Sequence, residues 1–389
     1  MARRSAPLRN HLNRSLSAER IVRRVRKLTP ATKLPPPPAR PSEGNGRDVH
    51  ELSTSILAEK AARASEDNGC IVFSEASLER ELQSIHTTEV NPCVEEWADL
   101  YSQVGNRSRY LWKWATRGAE LTTLPCVPSE WRQHVRDTKV LSIMICVLLD
   151  DAADAQKNQA FMEILLDVAQ RKVMPASADL SEADRHYASI TLDLCNAYER
   201  RIREYPCFEV YKDLLDYDLM QFVNTMRYSC LLNRHRYLLN LAEHEIYFPH
   251  NMHMMSFATL DLMCTPDFDM RELGRLREAV WHGQCMGRIG NLLSTWRREL
   301  AQGDFTSDVF ARAVAEGDLS SEQLTVENQQ QIEETIRNGG HEEFFFRRWQ
   351  FHRERFLCMA ALIKAVDLRK SLEGHEQFFC MHLASRGLI

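Results

Sequence analysis

Apolar residues recur at three- and four-residue steps through most of this chain, and that spacing constrains its fold more than any other feature. In "RHYASITLDLCNAYERRIREY" (185–205) they mark one stripe of a helix, with charges on the opposite face. "CFEVYKDLLDYDLMQFVNTMRYSCLL" (207–232) repeats the pattern over a longer span. "MRELGRLREAVWHGQCMGRIGNLLSTWRREL" (270–300) is longer still, with Asp269 placed to cap its start. No alternating β-branched run and no hairpin signal interrupts the series. The spacing predicts an all-α protein, with one helical domain over residues 48–389 and no internal repeat.

The preceding segment differs in kind. Residues 1–40 hold eleven Lys or Arg against one acid, Glu19, a charge of +10. The whole chain carries −5, so the remainder carries −15. "KLPPPPARPSEGNG" (33–46) cannot propagate a helix. Residues 1–47 therefore read as a disordered basic, proline-rich tail, a composition that also suits an organelle transit peptide. The acidic body argues against nucleic acid as a partner and suits a protein that collects divalent cations. "LSIMICVLL" (141–149) is the most apolar stretch and falls short of the roughly 20 residues of a membrane span, so no integral membrane association is expected. Eleven cysteines, an odd number at irregular spacing with no C-x-x-C pair, read as free thiols of a cytoplasmic protein rather than disulfides or a zinc site.

Two acidic sites stand out from the helical background. "VLLDDAADAQ" (147–156) ends an apolar helix in Asp150, Asp151 and Asp154. Adjacent carboxylates repel, so a positive charge or water is expected between them. In "GNLLSTWRRELAQGD" (290–304), Asn291, Thr295 and Glu299 fall at i, i+4 and i+8 and line one helix face. An amide oxygen, a hydroxyl and a carboxylate in a row are hard ligands suited to Mg²⁺. Arg288 stands one turn earlier and Arg298 sits beside the glutamate, while Gly283, Gly287 and Gly290 thin the same helix for a close neighbour.

Together these two sites resemble those of the class I terpene synthases. "DDAAD" (150–154) matches that family's aspartate-rich DDxxD motif, and "NLLSTWRRE" (291–299) resembles its second metal motif, with Leu292 where an Asp is customary. "NPCVEEWADLY" (91–101) is similar to the Asn-Pro segment that opens many bacterial members. The resemblance implies a helical bundle around a deep apolar cavity with three Mg²⁺ at its mouth, Mn²⁺ being a substitute. It implies Asp150, Asp151, Asp154, Asn291, Thr295 and Glu299 as the metal-binding set, and Arg298 as a diphosphate contact. The implied reaction is ionisation of a C15 or C20 isoprenoid diphosphate and cyclisation of the carbocation, by a monomer or homodimer.

The pattern also departs from the family. Its diphosphate-sensing Arg has no counterpart in "NLAEHEIYFPHNMHMMSFATLDLM" (240–263), which leaves Arg227, Arg236 and His250 as candidates. Arg227 ranks first, because an unpaired charge in apolar "NTMRYSCLL" would be costly, although a plain salt bridge would also explain it. The C-terminal Arg-Tyr pair is absent, with Arg353 as a substitute donor. Pro249 predicts a helix break at 247–253. Phe222, Met254, Phe257, Trp281 and Trp296 are candidate cavity residues, the last with a face that could point away. A chain-elongating prenyl diphosphate synthase would carry a second aspartate-rich motif, and "DLLDYDLM" (213–220) has the wrong spacing for one. A non-catalytic helical scaffold, with its basic tail recruiting an anionic partner, is the reading from another class.

Overall fold

The structure is a computed structural model that describes residues 74–156, 159–174 and 180–388, without the side chains of 153–159. The tail expected at 1–47 and the Asp154 side chain lie outside the described residues.

Among the described residues the architecture is all helical, with no strand. The helices begin where local chemistry satisfies their free amides. Ser74 accepts from the Ser77 amide to open α1 (Glu75–Thr87). Asn91 caps α2 (Pro92–Tyr101) with Pro92 in the first turn, so the "NP" pair is a helix start. Then follow α3 (Tyr110–Leu121), α4 (Ser129–Gln156), α5 (Gln159–Arg171), α6 (Glu182–Ile202) and α7 (Phe208–Arg234). After α8 (Leu241–Tyr247) the helix breaks around Pro249 into a 3₁₀ segment, Phe248–Met252, and a left-handed residue, His253 (φ 56°), before α9 (Met254–Met263). The predicted break at 247–253 is thus present, because proline removes a donor and His253 reverses the backbone twist.

Asp269 caps a short 3₁₀ turn, Met270–Glu272, and α10 (Leu273–Gln302) begins just beyond it. The chain continues through α11 (Asp308–Ala315), α12 (Gln329–Asn338), α13 (His341–Ala360) and α14 (Leu368–Ala384). Helix α10 is central, packing on α13, α14, α9 and the broken segment. Its glycines permit that approach. A Cβ on Gly287 would come within 2.7 Å of the Met254 methyl, and one on Gly290 within 2.9 Å of the His382 ring. Ten of the eleven cysteines are described, and each is a free thiol. No helix among the described residues is long and apolar enough to cross a membrane.

A buried ion pair ties the cavity walls together below their open end. Lys139 of α4 and Asp261 of α9 are both 0% exposed, with Nζ 2.7 Å from Oδ1. Lys139 also donates to the Thr123 hydroxyl at 3.0 Å, and Asp261 accepts from the Leu124 amide at 2.9 Å. The hydrogen bonds to the aspartate, from Lys139 and from the Leu124 amide, both fall on Oδ2, while Oδ1 keeps the ion-pair contact alone. Lys139→Met should lower unfolding stability by about 3–5 kcal/mol, because the aspartate is left as an isolated buried charge. The double variant Lys139→Met/Asp261→Leu should recover part of this, losing about 1–3 kcal/mol at the orphaned Leu124 amide. Urea denaturation of the three proteins measures both.

Candidate metal and diphosphate site

A cavity of about 210 Å³, walled by both apolar and charged side chains, lies between α3, α4, α7, the broken segment with α9, and α10. Leu111, Arg298 and Asp304 also line a polar mouth of about 860 Å³. The cavity therefore meets the mouth beside Arg298 and Asp304, with Leu111 in the shared lining.

On the α4 wall, Ile143, Cys146, Val147 and Asp150 follow one another at helical spacing into the cavity. Asp150 stands at the top with its side chain 46% exposed. Asp151 turns the other way and accepts from the Tyr101 hydroxyl and from Arg107 Nε at 2.8 Å. The Arg107 guanidinium also lies 3.8 Å from Asp150, so it supplies the positive charge expected between the two acids. A Cβ on Gly105 would lie 2.1 Å from Tyr101 Cζ. Only glycine lets the loop fold back over that ring and carry Arg107 to the acids.

On the α10 wall, Arg288, Asn291, Arg298 and Glu299 line the cavity. Arg288 is 7% exposed, holds Asp308 through Nε at 2.8 Å and donates to Asn291 Oδ1 at 3.0 Å. Thr295 is buried and donates to the Asn291 carbonyl at 2.9 Å. Beyond Gln302 the left-handed Gly303 turns the chain back, and the Asp304 amide donates to the Glu299 carbonyl at 2.9 Å. That reversal sets the Asp304 carboxylate near Glu299.

The acids are short of positive charge. Asp150 is half covered by the cavity walls, and that partial burial, opposed by Arg107 and reinforced by Asp151 and Asp304, raises its carboxyl above the ordinary range. Burial and the Asp304 charge push Glu299 up to about 7, against Arg288, the Thr295 hydroxyl and Arg298. Arg298 donates to Gln302 at 2.8 Å through one terminal nitrogen, and its buried Nε has no hydrogen-bond partner. Among the described residues, no three His, Cys, Asp or Glu groups close on a single point.

No family model matches the chain, and no curated protein matches its sequence. Solved structures do match. Isoprene synthase from grey poplar leaves (Populus x canescens), in complex with three Mg²⁺ ions and dimethylallyl-S-thiolodiphosphate, gives a TM-score of 0.51 at 13% identity, over 85% of this chain and 60% of that one. A second structure of that enzyme gives 0.50 at 14% identity, over 78% of this chain and 53% of the other. The chain thus spans 53–60% of the length of the isoprene synthase it matches. Linalool/nerolidol synthase from Streptomyces clavuligerus, in complex with 2-fluorogeranyl diphosphate, gives 0.45 at 14% identity, over 79% and 96% of the two chains. The fold is that of the class I terpene synthases.

Within this terpene-synthase fold the sequence candidates separate. Asp150, Asn291, Arg298 and Glu299 share the cavity with Phe222, Met254 and Phe257. Thr295 sits behind Asn291 and Glu299 rather than on the cavity surface. Arg227 is corrected: Phe222, Met226 and Ser229 face the cavity, and that phase turns Arg227 outward, where it pairs with Glu163 at 3.1 Å. Trp281 is corrected as well, since its ring packs at a tilt against His250, 5.2 Å between centroids, and is not among the residues lining the cavity. Trp296 faces α13 and donates to Glu342 at 2.8 Å. Arg236 is turned to Phe305 and Arg353 to Glu376. Asp218, from the acidic stretch set aside above, holds Arg277 at 2.7 Å and Thr259 at 2.8 Å. Sequence reasoning missed Arg107, which no local pattern marks, and Asp304, which the Gly303 helix stop does mark.

Glu299 gives a signed test of the charge shortage. Its carboxyl is raised above the ordinary 4.5 to about 7, so the folded protein resists a charge that the unfolded chain carries freely at pH 8. Glu299→Gln should therefore stabilise the metal-free protein at pH 8 by roughly 1–3 kcal/mol. The gain should fade as pH falls through 7 and vanish below about 4.5, where both states are protonated. Denaturation of both proteins with a chelator present, from pH 4 to 8, measures it.

Proposed function

We propose that this protein is a Mg²⁺-dependent class I terpene synthase that ionises an allylic C15 or C20 isoprenoid diphosphate and cyclises the carbocation to a terpene hydrocarbon or alcohol. The observation that carries this reading is a cavity in which Phe222, Met226, Met254 and Phe257 share one space with Asp150, Glu299, Arg288 and Arg298, and which meets an outer mouth at Arg298 and Asp304. That combination suits a substrate with a hydrocarbon tail and a highly charged head.

The donors present fit the metal. Asp150 on one wall and Asn291, Thr295 and Glu299 on the other offer hard oxygens, with Asp151 and Asp154 beside the first. The raised pKa values of Asp150 and Glu299 follow first from burial and then from neighbouring carboxylates, and a bound cation would relieve both. Since these acids do not converge on one point, they suit cations shared with an anionic ligand seated between the walls. Three Mg²⁺ accompany the diphosphate analogue in isoprene synthase, and three are proposed here, with Mn²⁺ as a substitute. When bound, the cations act as Lewis acids that neutralise the leaving diphosphate.

The chain's own groups do the rest. Arg298 has a free Nε–H to donate to the diphosphate, and Arg107 and Arg288 stand close enough to the acids to add charge. Phe222 and Phe257 offer ring faces to the cation. The apolar walls withhold water until the chain has rearranged.

A product assay tests the reading. Purified protein is incubated with geranyl, farnesyl and geranylgeranyl diphosphates, with and without Mg²⁺, and extracts are read by gas chromatography–mass spectrometry. The expected result is a cyclic hydrocarbon or alcohol made only with Mg²⁺, reduced at least about a hundredfold in Asp150→Ala. Longer linear diphosphates formed from added isopentenyl diphosphate would replace cyclisation with chain elongation. Failure of every chain length, with thermal stability unmoved by Mg²⁺ plus inorganic diphosphate, would leave the scaffold reading.

A further inference from the structure

Below the acidic rim lies a basic side chain that metal and diphosphate binding leave without a task. His253 links the broken segment to α9, is 4% exposed and lines the cavity with its ring centroid 4.2 Å from that of Phe222. Its Nε2 meets the sulfur of Cys146. Cys146 lies one turn, about 6 Å, along α4 from Asp150, toward the cavity interior. His253 is thus placed where the hydrocarbon part of a rim-bound diphosphate would lie.

The neighbours fix which nitrogen carries the proton. Cys146 donates its S–H to the Ser142 carbonyl oxygen at 3.0 Å, and that oxygen can only accept. The sulfur therefore turns lone pairs toward the imidazole, and Nε2 carries the hydrogen that meets them. Nδ1 is left with a free lone pair and no hydrogen-bond partner; the atom is itself covered, and a turn of the ring is needed to present it to the cavity. Burial, aided by the nearby His250, lowers the ring's pKa to about 3, so it waits neutral. A neutral imidazole is still far more basic than a carbon beside a carbocation.

We propose that His253, through Nδ1, is the base that ends the carbocation cascade, a role that rests on the cyclase reading above. Ionisation breaks the C–O bond, and its electron pair leaves on the diphosphate. A C–H bond next to the cationic carbon then breaks, its electron pair forms a C=C bond, and the proton passes to Nδ1. The imidazolium returns that proton to diphosphate or water when the site opens. The main product is therefore an olefin, not an alcohol.

His253→Asn is the informative variant, since asparagine tolerates the left-handed backbone and keeps a polar group near Nδ1 without its basicity. Wild type and variant are given Mg²⁺ and whichever of the three diphosphates the wild type turns over, with diphosphate release and products measured separately. The expected result is a fall of roughly tenfold or more in the main olefin per diphosphate released, with alcohols or olefins of different double-bond position in its place. An unchanged product pattern overturns the proposal and leaves the cyclase reading standing. No diphosphate release by wild type overturns both. His253→Gly also accepts the left-handed backbone. If it and the Asn variant both fold but release nothing, His253 is a hinge rather than a base, and the proposal falls.

Discussion

Lys139 and Asp261 carry opposite charges into a place where water cannot follow, and the cavity walls take their spacing from that contact. The pair joins α4 to α9, and through Thr123 and Leu124 it also holds the turn after α3. Asp150 lies eleven residues further along α4, about 16 Å away at helical rise. The walls are therefore fixed at one end and free to be shaped at the other. Asp218, held between Arg277 and Thr259, adds a second tie among α7, α9 and α10. Such ties are costly to desolvate, and they persist because opposite charges and directed hydrogen bonds offset that cost.

That anchoring lets the rim hold an arrangement that would otherwise push itself apart. Asp150, Glu299 and Asp304 crowd together among Arg107, Arg288 and Arg298, and burial together with that crowding makes Asp150 and Glu299 resist ionisation. A surface built for stability alone would spread these charges into water. Their concentration where apolar wall meets polar mouth fits a site that gives up stability for binding.

How much of this could be read beforehand depends on the range of the interaction. Helices, the break at Pro249 and the shared face of Asn291 and Glu299 are local consequences of spacing, and they were legible. Asp304 was legible in principle, because a glycine that stops a helix throws the next side chain back over the last turn. Arg107 was not, since a loop reaches Asp151 only through the packing of Gly105 on Tyr101. Nor was the partnership of Lys139 with Asp261, 122 residues apart. Arg227 misled for the same reason: its apolar neighbours suggested a buried charge, while the rotation of α7 sends it out to Glu163.

The cavity wall has one more property, which follows from its methionines. Met226, Met252 and Met254 all line it, and a thioether chain without branches settles into several shapes at similar energy. A wall of that kind is a soft mould. It closes around a guest instead of dictating one outline, so a flexible guest can be held in more than one pose. Stiffening a single position, for instance by placing a branched side chain at Met254 where Gly287 already crowds it, would trade that tolerance for selectivity.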